Sequence, residues 1–355
     1  MKYIFIFLIA ITIATEFNTL KSKFYSFDEF NLYNISNKNE LPESCLKLDD
    51  FYFINTNTGW LIKGIDPIKK VYKTLNAGNS WDVIFQSTNM VFRSIAFRDS
   101  MNGFIGTLDN DALLKSSDGG KTWKKETNFI GDDPRGICGL YLLDSLNIYG
   151  CGRYDKPAYF IKTSDGGHSW ISTNLSSQAS LLVDCYFFNK KDGILVGGQT
   201  IDDYHDAYPK ILCTSDSGNS WNVSYTGDSN GEIFWKIHFI DSMTGFVSLQ
   251  TFKRNTNLIK YLSTTNGGKN WIQKQFQTDA GYYESLGIFF LNENSGIIGG
   301  MRYLDNGNVE GESYFTTNSG SSWFIDTNYI NLNRIKLNNN NILASGKSFY
   351  NIKFP

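Results

Sequence analysis

The chain has 355 residues, 33 Lys and Arg against 35 Asp and Glu, and a formal net charge of −2. That length builds one large core or several small ones joined in a ring, and a near-neutral chain without a basic block carries no footprint for nucleic acid. Aromatic residues at 15 %, 32 Gly and only 6 Pro suit many short strands joined by tight turns.

At the N-terminus Lys2 precedes an apolar run from Tyr3 to Ala14, followed by polar sequence. A positive residue, about a dozen apolar ones and then a small residue describe a secretory signal segment, here residues 1–22. The run is too short to span a bilayer comfortably. The expectation is an exported protein, secreted, periplasmic or extracellular, with residues 23–355 as its single domain. An uncleaved anchor is the alternative, and with it a peripheral membrane association stays open. Five cysteines, Cys45, Cys138, Cys151, Cys185 and Cys213, leave at least one unpaired. Cys138 and Cys151 fall on adjacent expected strands, so they can pair or remain buried thiols. No CxxC spacing occurs and the three His are scattered, so neither a metal nor a cofactor is expected.

Six times along the chain one pattern recurs: Ser/Thr, any residue, Asp/Asn, any, Gly, any, Ser/Thr/Asn, Trp. The copies end at Trp81, Trp123, Trp170, Trp221, Trp271 and Trp323, with spacings of 42, 47, 51, 50 and 52 residues. A fixed unit at such a period marks a repeat architecture. Within one unit, Ser94-Ile95-Ala96-Phe97, Gly103-Phe104-Ile105-Gly106-Thr107, Ala112-Leu113-Leu114-Lys115 and Trp123-Lys124-Lys125-Glu126 read as four short strands. Four antiparallel strands in about 40 residues form a β-propeller blade. Six blades are expected at residues 46–86, 92–128, 137–175, 182–226, 235–276 and 286–327. A seventh, residues 333–355, offers three strands and no box. The expectation is an all-β propeller of seven four-stranded blades, the last completed by an N-terminal strand within residues 24–36, which removes the open edge.

The box has a structural reading at each position. Gly permits a positive φ, the third residue bonds amides of its own turn, and Trp covers the seam beside its blade. Asp118, Asp165 and Asp216 are replaced by Asn76, Asn266 and Asn318 in the other copies. This interchange keeps hydrogen bonding and discards charge, which calcium binding or acid–base work would not tolerate. The pattern resembles the Asp-box, or bacterial neuraminidase repeat, of sialidases, sortilin-type receptors, xyloglucan-cleaving glycosidases and the photosystem II stability/assembly factor family. The last of these is the most similar, over residues 46–326. The resemblance implies a propeller whose boxes lie away from the working face.

Comparing the repeats shows which face varies. Phe53 to Gly59, Phe97 to Gly103, Phe187 to Gly193, Phe239 to Gly245 and Phe290 to Gly296 are each six apart. The second-to-third-strand loops and the blade-to-blade loops differ in length, and binding residues favour such loops. Arg93, Arg135, Tyr204, His205, Trp235, Tyr283 and Arg302 are therefore the candidate binding residues, of types enriched at protein hot spots. The reading is a non-enzymatic, monomeric scaffold that binds a protein partner. A glycan-binding or glycoside-hydrolysing propeller is the alternative. A sialidase's early Phe-Arg-Ile-Pro signature is missing, the nearest stretch being Phe92-Arg93-Ser94-Ile95, and the chain has only seven Arg. The acidic loop residues Asp132, Asp133, Asp202, Asp203, Asp206, Asp279 and Glu284 show no spacing that selects a catalytic pair.

Overall fold

A computed structural model describes residues 32–34, 47–153, 156–202, 204–228, 230–253, 257–278, 282–304, 306–325 and 330–353. The N-terminal apolar run and Cys45 lie outside them.

Each repeat folds as an antiparallel sheet because its strand-forming runs, two to nine residues long, are interrupted by glycine-rich turns. Seven such sheets form a ring, with blades at residues 50–87, 92–125, 139–174, 181–226, 232–277, 282–325 and 332–352. The first strand of every blade is innermost: Asp50–Phe53, Phe92–Phe97, Gly139–Leu142, Leu181–Phe187, Glu232–Phe239, Tyr282–Phe290 and Leu332–Asn338 contact one another in sequence around the ring. Blade 7 closes on Leu32–Asn34, which pairs antiparallel with Phe349–Ile352, Leu32 opposite Ile352 and Asn34 opposite Tyr350. Outside the strands the described residues hold a single 3-10 turn, Tyr204–Asp206. No helix among them is long and apolar enough to cross a membrane.

The repeated spacing from Phe to Gly has a steric cause. The inner-strand Phe lies over the first residue of the second strand, and a Cβ at Gly103 or Gly245 would stand 2.5 or 2.4 Å from the ring of Phe97 or Phe239. The same rings stack across seams: Trp60 on Phe97 and Phe246 on Phe290, both with centroids 3.6 Å apart.

The boxes close these seams. In all six, the first hydroxyl accepts the amide of the second turn residue, Gly78, Gly120, Gly167, Gly218, Gly268 or Gly320, at 2.9–3.1 Å. The Asp or Asn Oδ1 accepts the amide four residues on. In Asp118, Asp165 and Asp216 the other oxygen accepts the next hydroxyl at 2.6 Å. In Asn76 and Asn318 the amide nitrogen instead donates to that hydroxyl at 2.8–2.9 Å. A rotating hydroxyl serves either polarity, which explains the interchange. Each tryptophan packs toward the preceding blade: Trp81 against Phe349, Trp123 beside Trp60, Trp170 against Phe104, Trp221 against Phe160, Trp271 beside Ile194 and Trp323 against Tyr261.

Two features depart from the sequence reading. Blade 3 has five strands, because Phe129–Gly131 pairs in parallel with Trp170–Asn174. The outer strand of blade 2, Lys124–Lys125, is only two residues long, so the chain beyond it is available to the next blade. The cysteines also settle: Cys138, Cys151 and Cys185 are buried and, with Cys213, form no disulfide. Burial, and then contact with Cys185, push the Cys151 thiol well above its usual range.

Two predictions test this architecture. Deleting residues 24–40 removes the closing strand and should lower the melting temperature sharply; a truncated protein that melts like the parent contradicts the closure. Asp118→Asn should melt within about 1 °C of the parent and Asp118→Ala about 2 °C or more below it. Equal losses in both would show that the carboxylate charge, not the turn bonding, matters.

Candidate functional site: the loop face and the mouth of the channel

The two ends of the ring differ. In each of the six boxes a turn amide donates to a carbonyl of the first hairpin of its own blade, as from Gly119 to Met101 and from Gly267 to Met243. That end is tied down. The opposite end carries the second-to-third-strand loops and the blade-to-blade loops.

At the centre, the inner strands carry a recurrent irregularity. Pairing shifts register between Phe92 and Ser94, Leu182 and Asp184, Phe234 and Ile237, Ser285 and Ile288, and Leu332 and Arg334. A bulge re-aims the side chains beside it. Here it sets charged residues into the middle of the ring. Arg334 of blade 7 reaches Asp50 of blade 1 at 3.3 Å and Asp184 of blade 4 at 2.8 Å. Lys336 joins Asp50 at 2.8 Å. The remaining Asp50 oxygen accepts the Ile95 amide at 3.2 Å, and Asp184 accepts the Ile237 amide at 3.3 Å. Burial pushes the Asp50 carboxyl up, but Lys336 and Arg334 together hold it below its ordinary value. Burial alone would lower the Arg334 guanidinium; Asp184 and Asp50 raise it above its ordinary value. One buried network thus ties three blades across the channel.

Nearer the loop face, Arg93 pairs with Asp49 at 2.9 Å, both buried. Trp235, itself buried, lies 5.4 Å from the Arg93 guanidinium, 5.7 Å from the Lys47 ammonium and 5.8 Å from that of Lys236. Burial, and then Arg93, lower Lys47 to about 8. Burial, and then Arg334, lower Lys236 to about 7. Three cations thus surround one indole, with the carboxylates of Asp49 and Glu284 close by.

The sequence-derived candidates divide. Arg93 and Trp235 come together, but from inner strands rather than loops. Tyr283 is likewise buried on an inner strand, where the guanidinium of Arg302 stands 5.8 Å from its ring. Arg302 also faces Glu312, whose carboxylate accepts the Tyr314 hydroxyl. Arg135 is exposed in the loop between blades 2 and 3, beside a hollow of about 300 Å³ lined by Asn110, Lys125 and Asp133. His205 is exposed on the short 3-10 turn, its ring 5.6 Å from that of Phe252, and Tyr204 opens that turn. Among the acidic loop residues, Asp132 accepts the Asn174 amide and Asp206 those of Ile201 and Asp202. Asp203 and Asp279 lie outside the described residues. Lys47, Asp50, Asp184, Lys236, Arg334 and Lys336 were not singled out from sequence. Apart from Lys47, which precedes blade 1, their signal was a charge in or at the start of an apolar inner strand, as in Leu-Leu-Val-Asp184-Cys and Phe-Trp-Lys236-Ile.

Seven sheets in a ring, each with an antiparallel four-stranded core, with these turns on one end, define an Asp-box β-propeller. The chain resembles the photosystem II assembly-factor group: residues 73–180, under a third of its length, match the family model described as Photosynthesis system II assembly factor YCF48. Among solved structures, YCF48 bound to D1 peptide is 14 % identical, with a TM-score of 0.63 over 94 % of this chain and 100 % of that one. YCF48 from Cyanidioschyzon merolae is 16 % identical, with a TM-score of 0.60 over 89 % and 98 %. The GH74 xyloglucanase from Xanthomonas campestris is 13 % identical, with a TM-score of 0.52 over 78 % of this chain and 47 % of its own. At these identities the likeness is one of fold. A comparison with curated proteins found no match.

Arg334→Met leaves two buried carboxylates short of a partner and should cost about 3–5 kcal/mol in denaturant unfolding. A loss below about 1 kcal/mol would mean that the network does not hold the blades.

Proposed function

We propose that this propeller is an assembly scaffold that binds a protein partner over its loop face. One observation carries the reading: the box end is held by its own hydrogen bonds, whereas the other end presents loops of unequal length around a channel mouth where Lys47, Arg93 and Lys236 surround the Trp235 ring. Exposed Arg135 and His205 stand on that rim, and Trp235 and Arg93 lie below it. The solved YCF48 with a bound D1 peptide supports the reading, since a propeller of the same fold takes up a segment of protein.

A photo-crosslinking residue placed at Arg135 or at His205 should give adducts with another protein in cells, and one at Lys121 in the box turn of blade 2 should not. Adducts from Lys121 alone, or from all three equally, would contradict it.

Export belongs to the same proposal. The apolar run after Lys2 directs the chain across a membrane and is removed, so sequencing of the mature protein should begin near residue 23. A mature chain that retains Met1 would contradict cleavage.

A further inference from the structure

At the mouth of the channel, hydrogen-bond donors outnumber the acceptors that reach them. The Lys236 ammonium makes no hydrogen bond or ion pair among the described residues; it lies 5.8 Å from the Trp235 ring, and the charges of Arg334, Asp184, Arg93 and Asp50 act on it from further off. The Lys47 ammonium likewise makes none among the described residues, although the charges of Asp49 and Glu284 act on it. Arg93 uses one terminal nitrogen on Asp49, and its Nε has no partner; nor has the indole Nε1 of Trp235. The Arg93 Nε and the Trp235 Nε1 are closed off from solvent as atoms, so water does not simply replace their missing acceptors.

The nearby carboxylates are committed. Asp49 accepts from Arg93 and from the Gly64 amide. Asp50 and Asp184 serve Arg334 and Lys336. Burial pushes Glu284 above the usual carboxylate range, although Lys47 opposes this, and it accepts the Tyr282 hydroxyl at 3.3 Å. Two ammonium groups, a guanidinium nitrogen and an indole N–H, drawn from the segment before blade 1 and from blades 2 and 5, therefore gather around the Trp235 ring where the described carboxylates are already engaged elsewhere. An unpaired buried charge is costly, whereas one with a hydrogen-bonded counter-ion is not.

We propose that the channel mouth is a binding site for one carboxylate group, held by Lys236, Lys47, the Arg93 Nε and the indole Nε1 of Trp235. A carboxylate fits these four donors because its two oxygens offer about four lone pairs. It arrives either as a free small carboxylate or as an Asp or Glu side chain on a bound protein. The site goes beyond the protein-binding reading and is tested apart from it.

The test is calorimetric titration of the full-length protein with sodium acetate, and separately with a blocked tripeptide, acetyl-Ala-Asp-Ala-amide, beside its Asn counterpart. Binding of acetate supports the site with a free ligand. Binding of the Asp peptide but not the Asn one, without acetate binding, supports it with a carboxylate carried by a protein chain. In either case Lys236→Met should weaken binding at least about tenfold and should melt no lower than the parent, since it removes an unpaired buried charge. Lys47→Met, at a half-buried position, should weaken it too and serves if Lys236→Met fails to fold. Affinity should rise as pH falls through about 8 and about 7, where the two lysines become charged. Failure of both probes to bind, or binding that both lysine variants leave unchanged, overturns the site. Either result leaves the crosslinking test of the loop face untouched.

Discussion

The structure depends on the contact between each box and the blade before it. A single four-stranded sheet has two faces to cover and cannot bury them alone. The box solves this at one point per seam. Its two successive residues of positive φ, such as Gly166 and Gly167 at +71° and +81°, turn carbonyls outward to the preceding blade. Arg98 donates to Gly166, Lys115 to Gly167, Lys162 to Ser217 and the Trp60 indole to Gly119. The turn lets the chain reverse tightly enough for the following tryptophan to reach the seam. Truncating one such tryptophan to Ala would cost about 3–5 kcal/mol. Ala77, Ser217 and Ser319 accept the same left-handed conformation without being glycine. The seam contact therefore outweighs a local strain of about 1–2 kcal/mol.

Blade 7 lacks a box, and its closure falls to other groups. Phe349 packs edge-on against Trp81, and Phe51 against Phe349 at 5.2 Å. The outer edge is covered by the strand from the far end of the chain. Inside, Asn333 donates to the Asp49 carbonyl at 2.8 Å and Lys336 to the Phe51 carbonyl at 2.6 Å. Arg334, also from blade 7, links across to blade 4. The blade without a box thus supplies the charges that cross the channel.

Much of this was legible in the sequence, for physical reasons. The boxes and the Phe-to-Gly spacing are local: a ring needs a residue without Cβ beneath it, and the turn needs its own oxygens. The same period gave the blade count, and leftover strands at both ends implied the shared seventh blade. The site was less legible. A bulge depends on pairing register, which no single strand encodes, so Arg93 and Trp235 read as loop residues when they are inner-strand residues. Lys236 and Asp184 read as interruptions of apolar strands, because only the ring brings blades 1, 2, 4, 5 and 7 to one axis. The parallel strand Phe129–Gly131 was hidden for a related reason: its partner, Trp170–Asn174, lies a full blade further on.

The central claim is a division of labour between the ends of the ring, architecture at the boxes and binding at the loops and channel mouth. A substitution scan of the whole domain, read out both as abundance of folded protein and as yield of partner crosslinked at the loop face, tests it most directly. Substitutions other than Asn at Asp118, Asp165 and Asp216, and substitutions of the six box tryptophans, should lower abundance, with crosslinking falling only in proportion. Substitutions at Arg135 and His205 should lower crosslinking at full abundance. Box variants that stay abundant and yet lose the partner would contradict the account.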